Sequence, residues 1–166
     1  VGIWSGNKFG GVITAFNLTK EKQETVISAK DISELDDTKT YWLYNYFSKN
    51  AEVLCGGQKK QIALDAGEYA YYILLPNDGP FACLGLVEKY TGFLAVETQK
   101  NEENITSFKI TETGNVVWLT EKKIKKVTIN GKDLTDKVQK NGFVYELVLE
   151  DSDENMMLEI EYPTTV

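Results

Sequence analysis

Histidine is missing from this 166-residue chain altogether. Without an imidazole, zinc sites built on histidine, Ser-His-Asp triads and Cys-His dyads are excluded within the chain. Cysteine is scarce. Cys55 and Cys83 stand alone, with no CxxC or other metal-ligand spacing. They read as two buried free thiols in a reducing compartment, ahead of a single disulfide as the alternative; a cytoplasmic location is expected, and no metal or other cofactor. Positive charge is outweighed, with 18 Lys and Arg against 25 Asp and Glu for a net charge of −7. That balance repels phosphate backbones, so nucleic acid is not an expected partner. The one basic run, "EKKIKKVTINGK", alternates with Ile124, Val127 and Ile129 and reads as a strand whose lysines face water. No apolar run approaches the roughly 18 residues of a membrane-spanning helix, so no membrane is expected either. Methionine occurs only at Met156 and Met157, and the chain opens at Val1 within a strand-like pattern. The expectation is a piece separated from a longer protein or freed of a leader.

What is present is strand after strand. Val12, Thr14, Phe16 and Leu18 alternate with Ile13, Ala15 and Asn17 after a Gly-Gly punctuation, the period-2 pattern of a β-strand. "QETVISA" predicts a second strand, and "DISELDD" a helical turn with Asp31 as its cap and Glu34 three residues on. "KTYWLYNYF" is apolar on both faces, and "EYAYYILLP" reads as a central strand covered on both sides. "AEVLCGG" and "KKQIAL" read as a hairpin joined at Gly56-Gly57. Asn130-Gly131 and Asn141-Gly142 mark tight reversals between later strands. No segment holds a 3.6-residue apolar period over three turns. The fold class expected is therefore all-β, an antiparallel two-sheet β-sandwich, with a barrel as the second choice. One domain over residues 1–166 is expected, with a seam near "TQKNEEN" at residues 98–104.

Carboxylates are the catalytic groups left to such a chain. Glu150, Asp151, Asp153 and Glu154 crowd one segment between two strands and read as turn residues first, with a weak Ca²⁺ site at Asp153 and Glu154 as the minor alternative. Glu68, between Gly67 and Tyr69, reads as a strand-end carboxylate that accepts local hydrogen bonds, ahead of a general acid. No residue is assigned a catalytic role. Asn-x-Thr triplets occur at Asn17 and Asn104, a pattern frequent by chance. The remaining route to function is sugar stacking on open aromatic faces, for which Trp42, Tyr44 and Trp118 are the candidates, against the commoner fate of core packing.

The segment "GIWSGNKFGGVITAFN" resembles the opening of the C-terminal domain in the raffinose synthase and seed imbibition protein group, α-galactosidase-like relatives of the family 36 glycoside hydrolases. The shared residues are Ile3-Trp4, Asn7-Lys8, Gly11, Val12 and Phe16-Asn17. A second block resembles the group at Tyr44, Tyr46, Ser48, Glu52 and Val53, and a third at Glu68-Tyr69, Pro76 and "FACLGLV". Cys83 departs from the group's proline, the segment from Leu18 to Lys39 is shorter than in plant members, and almost nothing matches after Gly92. The resemblance implies a non-catalytic β-sandwich packed beside an upstream (β/α)₈ barrel that carries two catalytic aspartates in a retaining mechanism. It also implies an apolar docking face, expected to include Ile3-Trp4 or Trp42, Tyr44 and Tyr46, through which the isolated chain would form a homodimer. A free-standing carbohydrate-binding module is the alternative, favoured by an exposed, coplanar pair of rings.

Overall fold

A computed structural model describes residues 2–7, 10–149 and 155–164, the first of these stretches by its backbone alone. The fold is all-β. Among the described residues the regular structure consists of strands and short 3₁₀ turns, so the absence of helical periodicity in the sequence is matched by the absence of any α-helix there. None of those residues forms a helix long and apolar enough to cross a membrane.

Where the sequence reading placed one domain, the chain divides into two compact units, Val1–Asp78 and Gly79–Val166. The first contains β1 (Gly2–Asn7), β2 (Gly10–Phe16), β3 (Gln23–Ile27), β4 (Tyr41–Asn45), β5 (Asn50–Leu54), β6 (Lys60–Leu64) and β7 (Tyr69–Pro76). Five of these form one antiparallel sheet in the order β1-β2-β7-β4-β5, and β3 pairs with β6 as a separate two-stranded ribbon. Period-2 alternation sends Ile13, Ala15, Tyr41, Leu43, Ala70, Tyr72 and Leu74 to one face of the sheet, where they pack with Ile27, Ile62 and Leu64 of the ribbon. Ala29 and Ile32, from the 3₁₀ turn Ala29–Asp31 and its end, join this core. The turn begins earlier than expected: Ser28 caps it, and the Asp31 carboxylate accepts the Ser28 N–H at 2.8 Å.

The Gly56-Gly57 expectation is corrected. β5 lies in the five-stranded sheet and β6 in the ribbon, so the two glycines carry the chain between layers instead of closing a hairpin. The Gly57 N–H donates to the Asp37 carbonyl, and a Cβ on Gly56 would overlap the Thr38 carbonyl. Close backbone approach is the physical reason for glycine here, and it leaves no distinguishing mark in sequence.

The second unit contains β8 (Ala82–Leu86), β9 (Val96–Asn101), β10 (Ile105–Ile110), β11 (Val116–Leu119), β12 (Lys126–Ile129), β13 (Lys132–Asp133), β14 (Val138–Asn141), β15 (Val144–Leu147) and β16 (Met156–Glu161). They form two antiparallel sheets, β13-β12-β16-β10-β9 and β14-β15-β11-β8. Phe108, Ile110, Val127, Leu158 and Ile160 from the first sheet pack with Leu86, Val116, Trp118 and Leu147 from the second, a sandwich of the expected kind. The polar segment at residues 98–104 is no seam: it finishes β9 and turns into β10, its antiparallel partner. Lys125 and Lys126 face water as expected and pair with Glu161 and Asp133.

Cys83 is buried in this core, but Cys55 is exposed, which corrects the expectation of two buried thiols. Cys55 follows the last residue of β5, where the chain leaves the sheet for the Gly56-Gly57 crossing. Burial pushes the Cys83 thiol up from 9.0 to about 12, since the thiolate finds no water there.

Gly85 and Gly131 share a left-handed φ of 79° but not an environment. At Gly85 a Cβ would collide with the Gly92 carbonyl, whereas around Gly131 the space is open. Gly131→Ala is expected to cost about 1–2 kcal/mol, the left-handed penalty alone. Gly85→Ala should cost distinctly more, because backbone has to move as well. Denaturant unfolding of the two variants measures the difference, and equal losses would show that the Gly85–Gly92 contact yields freely. Thiol titration tests the cysteine assignment: at pH 8 one thiol per native chain should react promptly, and two once the chain is unfolded. With a raised native pKa, the stability Cys83 contributes is whole below pH 9 and is lost as the pH climbs toward 12.

Candidate functional site

The three aromatic residues singled out in the sequence do not form a site. Trp42, Tyr44 and Trp118 are at most 2% exposed, so no ring face is open to a sugar. Trp118 stacks on Tyr145 at 6.0 Å and 11° within the second core, and its indole N–H finds no acceptor among the described residues. Trp42 and Tyr44 share a face of β4, opposite to the ribbon side where Tyr41 and Leu43 pack. The expected open patch over Trp42, Tyr44 and Tyr46 is therefore absent, because two of its three rings are buried and Tyr46 is half-buried. The side chains of Ile3 and Trp4 lie outside the described residues, as do Glu150, Asp151, Asp153 and Glu154.

The exposed rings lie farther along that same face. Phe16, the last residue of β2, stands directly opposite Tyr69, the first of β7. Their rings lie 6.0 Å apart with an interplanar angle of 24°. Phe47, in the turn after β4, meets Tyr69 edge-on at 5.1 Å, and Tyr46 meets Tyr71 at 5.6 Å and Phe47 at 5.5 Å. Five aromatic rings thus form a continuous chain, of which Phe16, Phe47 and Tyr69 are 37%, 47% and 50% exposed. Edge-to-face contacts at these distances stabilise one another by about 0.5–1.5 kcal/mol each, which fixes the rings although solvent reaches them.

Asn17 holds this corner together. Its side chain is 3% exposed in the residue as a whole, and its amide nitrogen donates toward the carbonyls of Glu21, Leu64 and Asp65 at 2.8, 2.9 and 2.9 Å. Its amide oxygen accepts the Thr19 N–H and hydroxyl at 3.0 and 2.8 Å. Its main chain adds a pair of bonds: Asn17 N–H donates to Glu68, and Gly67 N–H donates to Asn17. An amide so engaged in the fold is not available as a glycan acceptor, whatever the Asn-x-Thr triplet suggests.

Two open grooves flank the ribbon. One, of about 520 Å³, is lined by Asn45, Phe47, Ser48, Leu64, Glu68, Tyr69 and Tyr72 among others. The other, of about 490 Å³, runs between the end of β2, including Phe16, and β3. Asn45 shapes the rim of the first: its side-chain oxygen accepts the N–H groups of Phe47 and Ser48 at 3.0 and 3.1 Å. Burial holds the Tyr72 phenol above its ordinary value, opposed by a hydrogen bond with the Asn45 side chain. The Glu68 carboxylate accepts the Asp65 N–H at 2.8 Å, the local strand-end bond expected of it. Among the described residues no three acidic or cysteine side chains converge as a metal site. The exposed rings are packed against one another, and the polar groups lining the first groove are Asn45, Ser48 and the Glu68 carboxylate. One sequence signal marked these rings, namely aromatics at strand ends directly beside turn residues, in "FNLT", "YFSKN" and "AGEY".

Asn17→Asp should destabilise the first unit by about 3 kcal/mol or more at neutral pH, since a carboxylate would face three carbonyl oxygens. The loss should ease as the pH falls and the new carboxyl protonates. Urea unfolding at pH 7.5 and pH 4.5 checks both, and an undiminished midpoint at pH 7.5 would mean that the corner does not depend on this amide. No protein-family model matches the chain, and no match is found among curated proteins.

Proposed function

We propose that this chain is a non-catalytic β-sandwich accessory region of an α-galactosidase-like glycoside hydrolase, supporting an adjoining (β/α)₈ barrel. One observation supports this reading. Of the blocks that resemble the raffinose synthase group, the first, the second and the opening of the third fall in one sheet of the first unit. The first supplies β1 and β2, the second spans β4, its turn and β5, and the third supplies β7 and continues into β8. All five strands of the larger sheet in the first unit, and neither strand of the ribbon, carry a block. The remainder of the third block, "FACLGLV", supplies β8 of the second unit. The ribbon strand β3 falls in the segment where the chain is shorter than plant members of the group.

Accessory domains of this kind act by burying surface against the catalytic partner, which stabilises both by mass action. The reading frame adjoining the codon for Val1 should encode a barrel with a pair of catalytic aspartates. Removing residues 1–166 from that enzyme should lower its thermal midpoint by roughly 5 °C or more. A neighbouring frame without a barrel, or an enzyme whose midpoint is indifferent to the deletion, overturns the assignment.

A further inference from the structure

We infer that the segment 87–95 is a guard over the free edge of β8, and that its closure keeps the chain from pairing strand to strand with a second copy of itself. β8 ends its sheet, with β11 on one side and, among the described residues, no strand on the other. An edge strand leaves a row of main-chain N–H and C=O groups open to any extended chain, and folded proteins blunt it with charge, proline, a bulge or a covering loop. The other edges of the second unit use charge. β14 carries Gln139 and Lys140, β13 is Lys132 and Asp133, and β9 carries Glu97 and Lys100. β8 has neither charge nor proline: residues 81–87 read "FACLGLV", an uncharged apolar run of the kind that pairs readily with copies of itself. Its pairing with β11 shifts register at Val117 and Trp118, a bulge that bends the strand, and the rest of its protection has to come from cover.

The chain that follows β8 supplies that cover. It turns twice, Lys89 N–H donating to the Leu86 carbonyl and Gly92 N–H to the Lys89 carbonyl, each at 3.2 Å. The 3₁₀ turn Gly92–Ala95 is thereby returned to the strand the chain has just left. It packs on β8 and β9 rather than on β11, so it lies on the side of β8 away from its sheet neighbour. The contact is main chain on main chain. A Cβ on Gly85 would overlap the Gly92 carbonyl, and one on Gly92 would overlap the Leu86 carbonyl. Paired glycines seat the turn closer than any side chain would allow.

Few bonds hold the guard shut. Phe93 and Ala95 are buried, and the Ala95 carbonyl accepts the Thr111 N–H and hydroxyl at 2.9 and 3.2 Å. Lys89 pairs with Glu112, but both side chains are half-exposed, and such pairs contribute little. Leu94 faces water. A segment with so little buried apolar surface opens at lower cost than the two sheets it joins. Cys83, on β8 itself, is a built-in reporter of that opening, because its thiol is buried while the guard is shut.

The test uses the full chain with Cys55→Ser, which removes the exposed thiol and leaves Cys83 alone. Gly92→Ala and Phe93→Ala loosen the guard without changing β8, and Gly131→Ala, in an open turn of the same unit, controls for general loss of stability. Thiol labelling at pH 8 follows opening, and sedimentation velocity over a range of concentrations follows association. The expected result is labelling of Cys83 about tenfold faster or more in both guard variants than in the control, together with association beyond that of the Cys55→Ser parent. Hydrogen exchange locates the contact: amides of residues 82–86 should slow as rising concentration brings the variants together. Labelling no faster than in the control, faster labelling without added association, or association that leaves those amides exchanging as before overturns the inference. Circular dichroism shows which variants remain folded. Should both guard variants unfold, the urea dependence of labelling in the parent decides: a slope well below that of global unfolding is expected of a guard that opens alone, and an equal slope overturns it.

Discussion

One buried amide organises the first unit. Asn17 sits where β2 ends, and its side chain reaches the end of β6, the turn beyond it and the loop that leads to β3. A sandwich needs its two layers fixed relative to one another, and apolar packing alone is non-directional. The hydrogen bonds of Asn17 supply the direction. Buried and satisfied on both the donor and acceptor side, the amide has no competing geometry in which it would lose less, so the corner specifies a single arrangement. Everything around the aromatic surface follows from it, because the residues before Asn17 and after Glu68 are the ring-bearing strand ends.

Elsewhere the fold relies on two-sided burial. β7 is the middle strand of five, and Tyr72, Ile73, Leu74 and Leu75 are buried in succession along it, as its unbroken apolar run implies. In the second unit β11 has the same character, with Val116 to Leu119 all buried. The surface ion pairs, such as Lys60 with Glu52 at 2.8 Å and Lys125 with Glu161 at 2.6 Å, are solvent-exposed links that contribute little beside this burial. Their lysines keep strand surfaces soluble and strand edges unattractive to other chains.

Strand identity was legible because period-2 alternation is a local property, and the Asn130-Gly131 reversal was legible because positive φ at both residues demands that chemistry. What each strand pairs with was less so. Gly56-Gly57 serves a crossing between layers with the same residues that serve a hairpin. The division at Asp78–Gly79 falls in "NDGP", a turn no different in composition from those inside either unit. The aromatic surface was missed for a related reason. Alternation assigns Trp42, Tyr44, Tyr46, Phe16 and Tyr69 to one face, but it does not say how far along that face the protein's own cover extends. Trp42, Tyr44 and Trp118 carry large rings, and the size that suits a ring to sugar stacking also makes it a good core residue.

The ribbon of β3 and β6 is three strands narrower than the sheet it covers. Two layers of equal width meet edge to edge and exclude water along their whole margin. Here the broader layer overhangs, and both open grooves run along the sides of the narrower one. The clefts are thus a consequence of strand count before they are a matter of side-chain choice. A cover of this kind can be widened or trimmed by changing the segment around β3 alone, leaving the registers of the five-stranded sheet untouched. Such an edge gives a lineage a dial for the depth of its clefts that is separate from the stability of its core.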